Sequence, residues 1–190
     1  MKPLAALALV SASALALISA SAFVAPVNAE EACSTTVISS PDGSALTILF
    51  DDLSVVAGDQ QTRACSVSAL LNLPEGYSLG VYRVDYRGYA HLAKKENATL
   101  VVDYNLGPKA NGRQFKRTVK GAIDDDFSFT ENIGAGQMKR VGCGSAAVLN
   151  VDVALSLDAT TGEALATMDS SDGAVKHGLV YHLDLKKCGS

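Results

Sequence analysis

Val148-Leu149-Asn150-Val151-Asp152-Val153-Ala154-Leu155-Ser156-Leu157-Asp158 decides the fold class. Leu149, Val151, Val153, Leu155 and Leu157 occupy alternate positions, and Asn150, Asp152, Ser156 and Asp158 stand between them. Successive side chains of a strand point to opposite faces, so this stretch has one apolar face and one polar face. That pattern belongs to an antiparallel sheet with one side in a core and the other in water.

The same period of two recurs on both sides of it. Leu46, Ile48 and Phe50 alternate with Ala45, Thr47 and Leu49. From Cys65 onward, Val67, Ala69, Leu71 and Leu73 alternate with more polar neighbours. Near the end, Leu179, Tyr181, Leu183 and Leu185 oppose Val180, His182 and Asp184. Further strands are predicted over Ser78–Leu92, Ala98–Asn105, Phe115–Ile123, Asp126–Thr130 and Glu163–Met168. Turn residues punctuate the runs: Pro41-Asp42-Gly43, Ala57-Gly58-Asp59, Pro74-Glu75-Gly76, Asn111-Gly112, Thr161-Gly162 and Asp172-Gly173. No stretch after the N-terminal segment keeps a 3.6 period for three turns. The expectation is an all-β protein, an antiparallel sandwich of roughly eight to ten short strands. Two long connections interrupt it, Gly107–Arg113 and Asn132–Gly144.

The N-terminus reads as an export signal. Lys2 precedes an apolar run from Leu4 to Phe23, and Val27-Asn28-Ala29 places small residues at a cleavage position. Residues 1–29 are therefore predicted to be a signal peptide, and residues 30–190 a single secreted domain. All four cysteines, Cys33, Cys65, Cys143 and Cys188, lie beyond it, in a compartment that oxidises thiols. Four cysteines allow three pairings. Cys33–Cys65 with Cys143–Cys188 is favoured, because Cys33 and Cys65 open neighbouring strand regions. Cys143 precedes a strand whose antiparallel partners are expected near the C-terminus. No later run reaches the ~18 apolar residues of a membrane span. The formal charge of −4, or −5 without Lys2, disfavours nucleic acid and anionic membranes as partners.

Specific motifs then resemble a known family. Asp42-Gly43-Ser44-Ala45-Leu46-Thr47 leading into Phe50-Asp51 is similar to the first motif of a family of secreted proteins, domain-of-unknown-function family 4360. Cys65-Ser66-Val67 through Leu73-Pro74-Glu75-Gly76-Tyr77, then Val84-Asp85-Tyr86-Arg87-Gly88-Tyr89-Ala90-His91-Leu92, resembles its second. Gly142-Cys143-Gly144, Asp169-Ser170 and Cys188 extend the match over about Val37 to Cys188. The family often has an aromatic before the last cysteine, where this chain has Leu185-Lys186-Lys187. The resemblance implies a secreted protein and carries no activity, cofactor or catalytic residue.

Tyr82-Arg83-Val84-Asp85-Tyr86-Arg87-Gly88-Tyr89 is the most distinctive segment. Strand parity places Tyr82, Val84 and Tyr86 on one face and Arg83, Asp85 and Arg87 on the other. Arg offers a planar fork of donors, Asp accepts from hydroxyls, and Tyr joins an apolar face to a polar tip. Arg83, Asp85, Arg87 and Tyr89 are thus the candidate ligand-binding residues, and the competing reading is a charge ladder that only holds strands together. Gly88 marks a bulge or a close backbone approach.

Other clusters carry less. Asp124-Asp125-Asp126 with Glu131, Asp51-Asp52, and Asp169 with Asp172 lack the alternating spacing of a calcium loop. His177 and His182 are an odd number of residues apart, which sends them to opposite faces of a continuous strand, and His91 is remote. The expectation is no metal and no cofactor. No Gly-x-Ser-x-Gly elbow exists. Lys109, Arg113, Lys116, Arg117 and Lys120 form a basic run, read as a strand answered by the following acidic run across a hairpin. Asn97-Ala98-Thr99 is a glycosylation acceptor for a eukaryotic source.

Together these readings favour a non-catalytic binding or structural module at the cell exterior, in a periplasm or envelope if bacterial. Its expected partner is an extracellular glycan or an envelope component. The alternative is a secreted carbohydrate-active hydrolase using an Asp/Glu pair.

Overall fold

A computed structural model of the chain describes residues 33–58, 61–107, 112–144, 146–160, 162–169 and 177–189. The expected signal peptide, Lys109, Ser170 and the turn residues Asp59, Asn111, Thr161, Asp172 and Gly173 lie outside these residues. In chain order the strands are β1 (Thr35–Ser39), β2 (Ala45–Phe50), β3 (Ser54–Val56), β4 (Thr62–Leu71), β5 (Tyr77–Leu92) and β6 (Asn97–Leu106). They continue with β7 (Arg113–Lys120), β8 (Ile123–Asn132), β9 (Arg140–Gly142), β10 (Ala147–Asp158), β11 (Leu165–Thr167) and β12 (Gly178–Lys187). Twelve strands exceed the expected eight to ten: β3 and β9 have three residues each, too few to show a period, while β11 falls within the expected Glu163–Met168 run.

Two antiparallel sheets result. The smaller has the order β4-β10-β6-β7. The larger has eight strands built around β5, which is 16 residues long. One edge of β5 pairs with β12 over Tyr77–Arg87 and then with β11 over Tyr89–His91. Its other edge pairs with β9 over Ser78–Gly80 and then with β8 over Arg83–Leu92. Beyond β12 lie β2 and β1, and beyond β11 lies β3.

The alternation in β10 sets the core. Leu149, Val151, Val153, Leu155 and Leu157 are buried, and they join one cluster with Leu179, Tyr181 and Leu183 of the opposing sheet. Aromatic contacts cross between the layers. Tyr86 of β5 stacks on Phe115 of β7 at 3.8 Å, and Tyr104 of β6 meets Tyr181 of β12 edge-on at 5.4 Å. Such burial is the dominant stabilising term, about 25 cal/mol per Å² of apolar surface removed from water.

Disulfides join Cys33 to Cys65 and Cys143 to Cys188. The first ties the chain just before β1 to the inward face of β4, and so links the two sheets. The second joins the residue after β9 to the residue after β12.

One irregularity in β5 determines what the functional face contains. Arg83 pairs with His182 and Val81 with Leu183, which leaves Tyr82 as an extra residue. Before this bulge Leu79 and Val81 face the core; after it Val84, Tyr86, Ala90 and Leu92 do. Tyr82 is 43% exposed and lies against the His182 ring at 5.9 Å, so it does not share the inner face with Val84 and Tyr86. Gly88 is a close approach, with no bulge there. A Cβ on it would stand 2.4 Å from the Thr167 carbonyl oxygen and 2.5 Å from the Phe127 ring.

Candidate functional site

The outward residues of β5 after the bulge are Arg83, Asp85, Arg87, Tyr89 and His91, and the register surrounds them with further polar side chains. Asn132, Thr130, Ser128, Asp126 and Asp124 of β8 stand opposite them in that order. On the other edge His182 faces Arg83, and Val180 faces Asp85. Strand geometry makes this polar row about 27 Å long, at ~3.3 Å per residue.

Asp85 anchors the row. Although it is on the outward face, it is only 2% exposed, because neighbouring side chains close over it. Arg83 donates to both its oxygens, from Nε to Oδ1 and from a terminal nitrogen to Oδ2, each at 2.9 Å. The Thr130 hydroxyl donates to Oδ1 at 2.7 Å, and His182 Nε2 lies 2.9 Å from Oδ2. Arg87 approaches Oδ2 at 4.0 Å. Burial pushes the Asp85 pKa up, but the hydrogen bonds from Thr130, His182 and Arg83 outweigh it and hold the carboxyl below its ordinary value. With its oxygens occupied, Asp85 orients Arg83 and is not itself open to a ligand. Arg83 and Arg87 keep 42% and 45% of their side chains exposed.

The depressed Asp85 pKa has a signed consequence. A carboxyl that ionises more readily when folded adds stability above the unfolded pKa of about 3.9, and that stability is lost as pH falls through the folded value. Urea unfolding of the wild-type chain and of Asp85→Asn at pH 7, 4.5 and 3 should show the wild type losing its advantage below about pH 4. Parallel pH profiles would mean that Asp85 is not held as described.

Tyr89 closes the acidic end of the row. Its hydroxyl hydrogen-bonds the Asp124 carboxylate, which His91 Nδ1 also meets at 3.2 Å. The Asp124 carboxyl is held below its ordinary pKa, first by the Tyr89 hydrogen bond and then by that of His91. His177 Nε2 lies 3.0 Å from Asp126 Oδ1. His177 therefore reaches the same outer face as His182, contrary to the parity argument. It precedes β12, and Gly178 between them has φ +121°, outside the strand region, so the alternation does not run through it. All three histidines come to one sheet face, each beside one aspartate.

Glu131 departs from the acidic cluster in which its sequence position groups it. It continues the inward parity of Phe127 and Phe129 and turns between the sheets. Its Oε2 accepts from the hydroxyls of Tyr86 at 2.9 Å and Tyr104 at 3.0 Å, and its Oε1 accepts from Arg113 at 2.9 Å. Burial, reinforced by the nearby negative charge, raises the pKa of both tyrosines. Among the described residues, the basic run of β7 is thus answered by Glu131 at Arg113 alone. Asp124 to Asp126 face β5 instead, because β7 and β8 belong to different sheets.

The other buried acid, Glu96, accepts from the amides of Ala93 and Thr160 and ties down the β5–β6 turn. On the outer face of the smaller sheet Asp103 and Asp152 stand directly opposite one another, hydrogen-bonded to Gln114 and Ser66. Among the described residues, no three His, Cys, Asp or Glu side chains gather as a metal cluster would require.

The family described as domain of unknown function (DUF4360) matches residues 31–188. An uncharacterized secreted protein of Arthroderma benhamiae is 27% identical over 158 residues, which are 80% of this chain. The match spans 64% of that relative's length. Among solved structures, a cryo-EM structure of the virus-like particle of Macrobrachium rosenbergii extra small virus covers 93% of both chains at 13% identity. Its TM-score is 0.27, an overlap too loose to bear on fold or function.

Proposed function

The chain belongs to domain-of-unknown-function family 4360, and from that premise we propose that it is a secreted, non-catalytic module that binds an extracellular glycan on the outer face of its larger sheet. The fungal relative's name and the two disulfides support export. The observation that carries the binding role is the buried Asp85 holding Arg83 in a fixed fork on an open face, with Arg87 and Tyr89 beside it. Arg83 spends Nε and one terminal nitrogen on Asp85, so its other terminal nitrogen is held in place and loses little freedom when it meets hydroxyl or acidic groups of a sugar, and a tyrosine adds a ring face. The occluded Asp85 leaves the contacts to Arg83, Arg87 and Tyr89.

The disposition of the acids favours binding over hydrolysis. A glycosidase needs two carboxyl groups converging on one bond. Here the covered acids diverge: Asp85 on the outer face of β5, Glu131 on the inner face of β8, Glu96 at a turn. Asp103 and Asp152 do face one another on the outer face of the smaller sheet, but there they are bonded to Gln114 and Ser66.

Arg87→Gln is the discriminating substitution, because Asp85 keeps its three closer partners. On a glycan array the substitution should weaken the hits about fivefold or more, while the melting temperature stays within about 2 °C. Glycan binding indifferent to both Arg87→Gln and Arg83→Gln would overturn the site. Cleavage of the bound glycans would overturn the non-catalytic reading.

A further inference from the structure

A second site lies between the sheets, separate from the outer face. A cavity of about 160 Å³ opens beside the Arg113–Glu131 pair. Its apolar walls are Val81 of β5, Leu106 of β6 and Ile133 just after β8, with Tyr104, Asn105 and Gln137 as polar lining. Arg113 and Lys139 stand at its rim. We propose that this cavity binds a small organic carboxylate whose apolar body is a single ring or a short branched chain, with the carboxylate held between Lys139 and Arg113.

Size sets the first limit. An engineered apolar cavity of about 150 Å³ accepts benzene, so the space here suits one ring and excludes a sterol or a long acyl chain. Lining chemistry sets the second. Val81, Leu106 and Ile133 give an apolar body its contacts, while Asn105, Gln137, Arg113 and Lys139 supply donors for one polar head.

Charge sets the third. Arg113 already gives two of its nitrogens to Glu131 Oε1, yet a third of its side chain is exposed. Lys139 has no ion-pair partner among the described residues. The rim therefore carries a positive charge that Glu131 does not neutralise, which favours an anionic head and disfavours an amine.

The wall behind Tyr104 adds an independent sign. Tyr181 is fully buried against it, and its hydroxyl has no hydrogen-bond partner among the described residues. Most buried polar atoms are satisfied, and an exception calls for an explanation. Tyr181 does not itself line the cavity; its ring meets Tyr104, which does.

The test is a titration of the disulfide-intact secreted chain with benzoate, followed by amide and methyl chemical shifts. Saturable shifts should concentrate at Val81, Leu106, Arg113 and Ile133. Benzyl alcohol and benzylamine, which have the same ring without the anion, should bind at least about fivefold more weakly. Lys139→Gln lies at the exposed rim and leaves the core intact; it should reduce benzoate affinity about fivefold and leave benzyl alcohol unchanged. No saturable shift, shifts confined to the outer face of β5, or equal binding of benzoate and benzyl alcohol would each overturn the proposal. Glycan binding at Arg87 is read separately, so either site can fail without the other.

Discussion

Glu131→Ala should destabilise the protein by about 3 kcal/mol, which lowers the melting temperature by roughly 6–12 °C for a domain of this size. The carboxylate joins three strands, because Tyr86 lies in β5, Tyr104 in β6 and Arg113 in β7. Truncation leaves two hydroxyls buried without an acceptor and a guanidinium without its counter-charge. An unmet buried donor costs about 1–3 kcal/mol, and the partial exposure of Arg113 lets water recover part of the loss. Glu131→Gln keeps an acceptor for the tyrosines and removes only the charge, so it should cost about 1 kcal/mol. Urea denaturation of the two variants separates these contributions. Equal losses would mean that the charge alone matters, and negligible losses in both would mean that Glu131 is a surface acid after all.

That outcome bears on what could be read from residues alone. Alternation is legible wherever a strand is long and one-sided: β2, β4, β6 and β10 follow it residue by residue, and β12 does so from Leu179 to Leu183, beyond which Leu185, expected inward, is exposed. It fails where the backbone leaves the regular pleat. The bulge at Tyr82 changes which residues of β5 face inward, and no residue at that point announces it. Gly178 breaks the phase between His177 and His182 through its positive φ, which the residue type alone permits but does not require.

Glu131 was legible in principle. Phe127, Phe129 and Glu131 share one parity, and extending the strand one residue past Thr130 turns that acid inward. Proximity to Asp124-Asp125-Asp126 along the chain obscured it. The row Arg83, Asp85, Arg87 and Tyr89 does share one face, because all four follow the bulge. The occlusion of Asp85 depends on Thr130 and His182, which arrive from strands 45 and 97 residues away, and no local pattern contains that information.

Loss of the Cys143–Cys188 bridge should be as costly as loss of Glu131, for a different reason. The sequence places Cys143 just before a strand expected to meet the C-terminus, yet β10 pairs with β4 and β6 in the other sheet. Cys143 instead follows β9, which flanks the start of β5 on one edge while the end of β12 flanks it on the other. The Cys143 amide bonds the Tyr77 carbonyl and the Cys188 amide bonds the Gly76 carbonyl, so the bridge straps two strands across the beginning of β5. Its two cysteines are 45 residues apart, a loop whose closure corresponds to about 4 kcal/mol by chain-entropy arguments.

Replacing both with serine should therefore lower stability by about that amount. The loss should also show locally. β9 has three residues and the strap at its end, so the amides of Leu79 and Val141, where β5 and β9 pair, should lose hydrogen-exchange protection before the β10 amides do. Leu149 to Leu155 should stay protected up to global unfolding. Uniform loss of protection along both sheets would show that the bridge acts only through the unfolded chain. Unchanged stability in the double serine variant would show that the hydrogen bonds at Gly76 and Tyr77 hold the two strand ends without it.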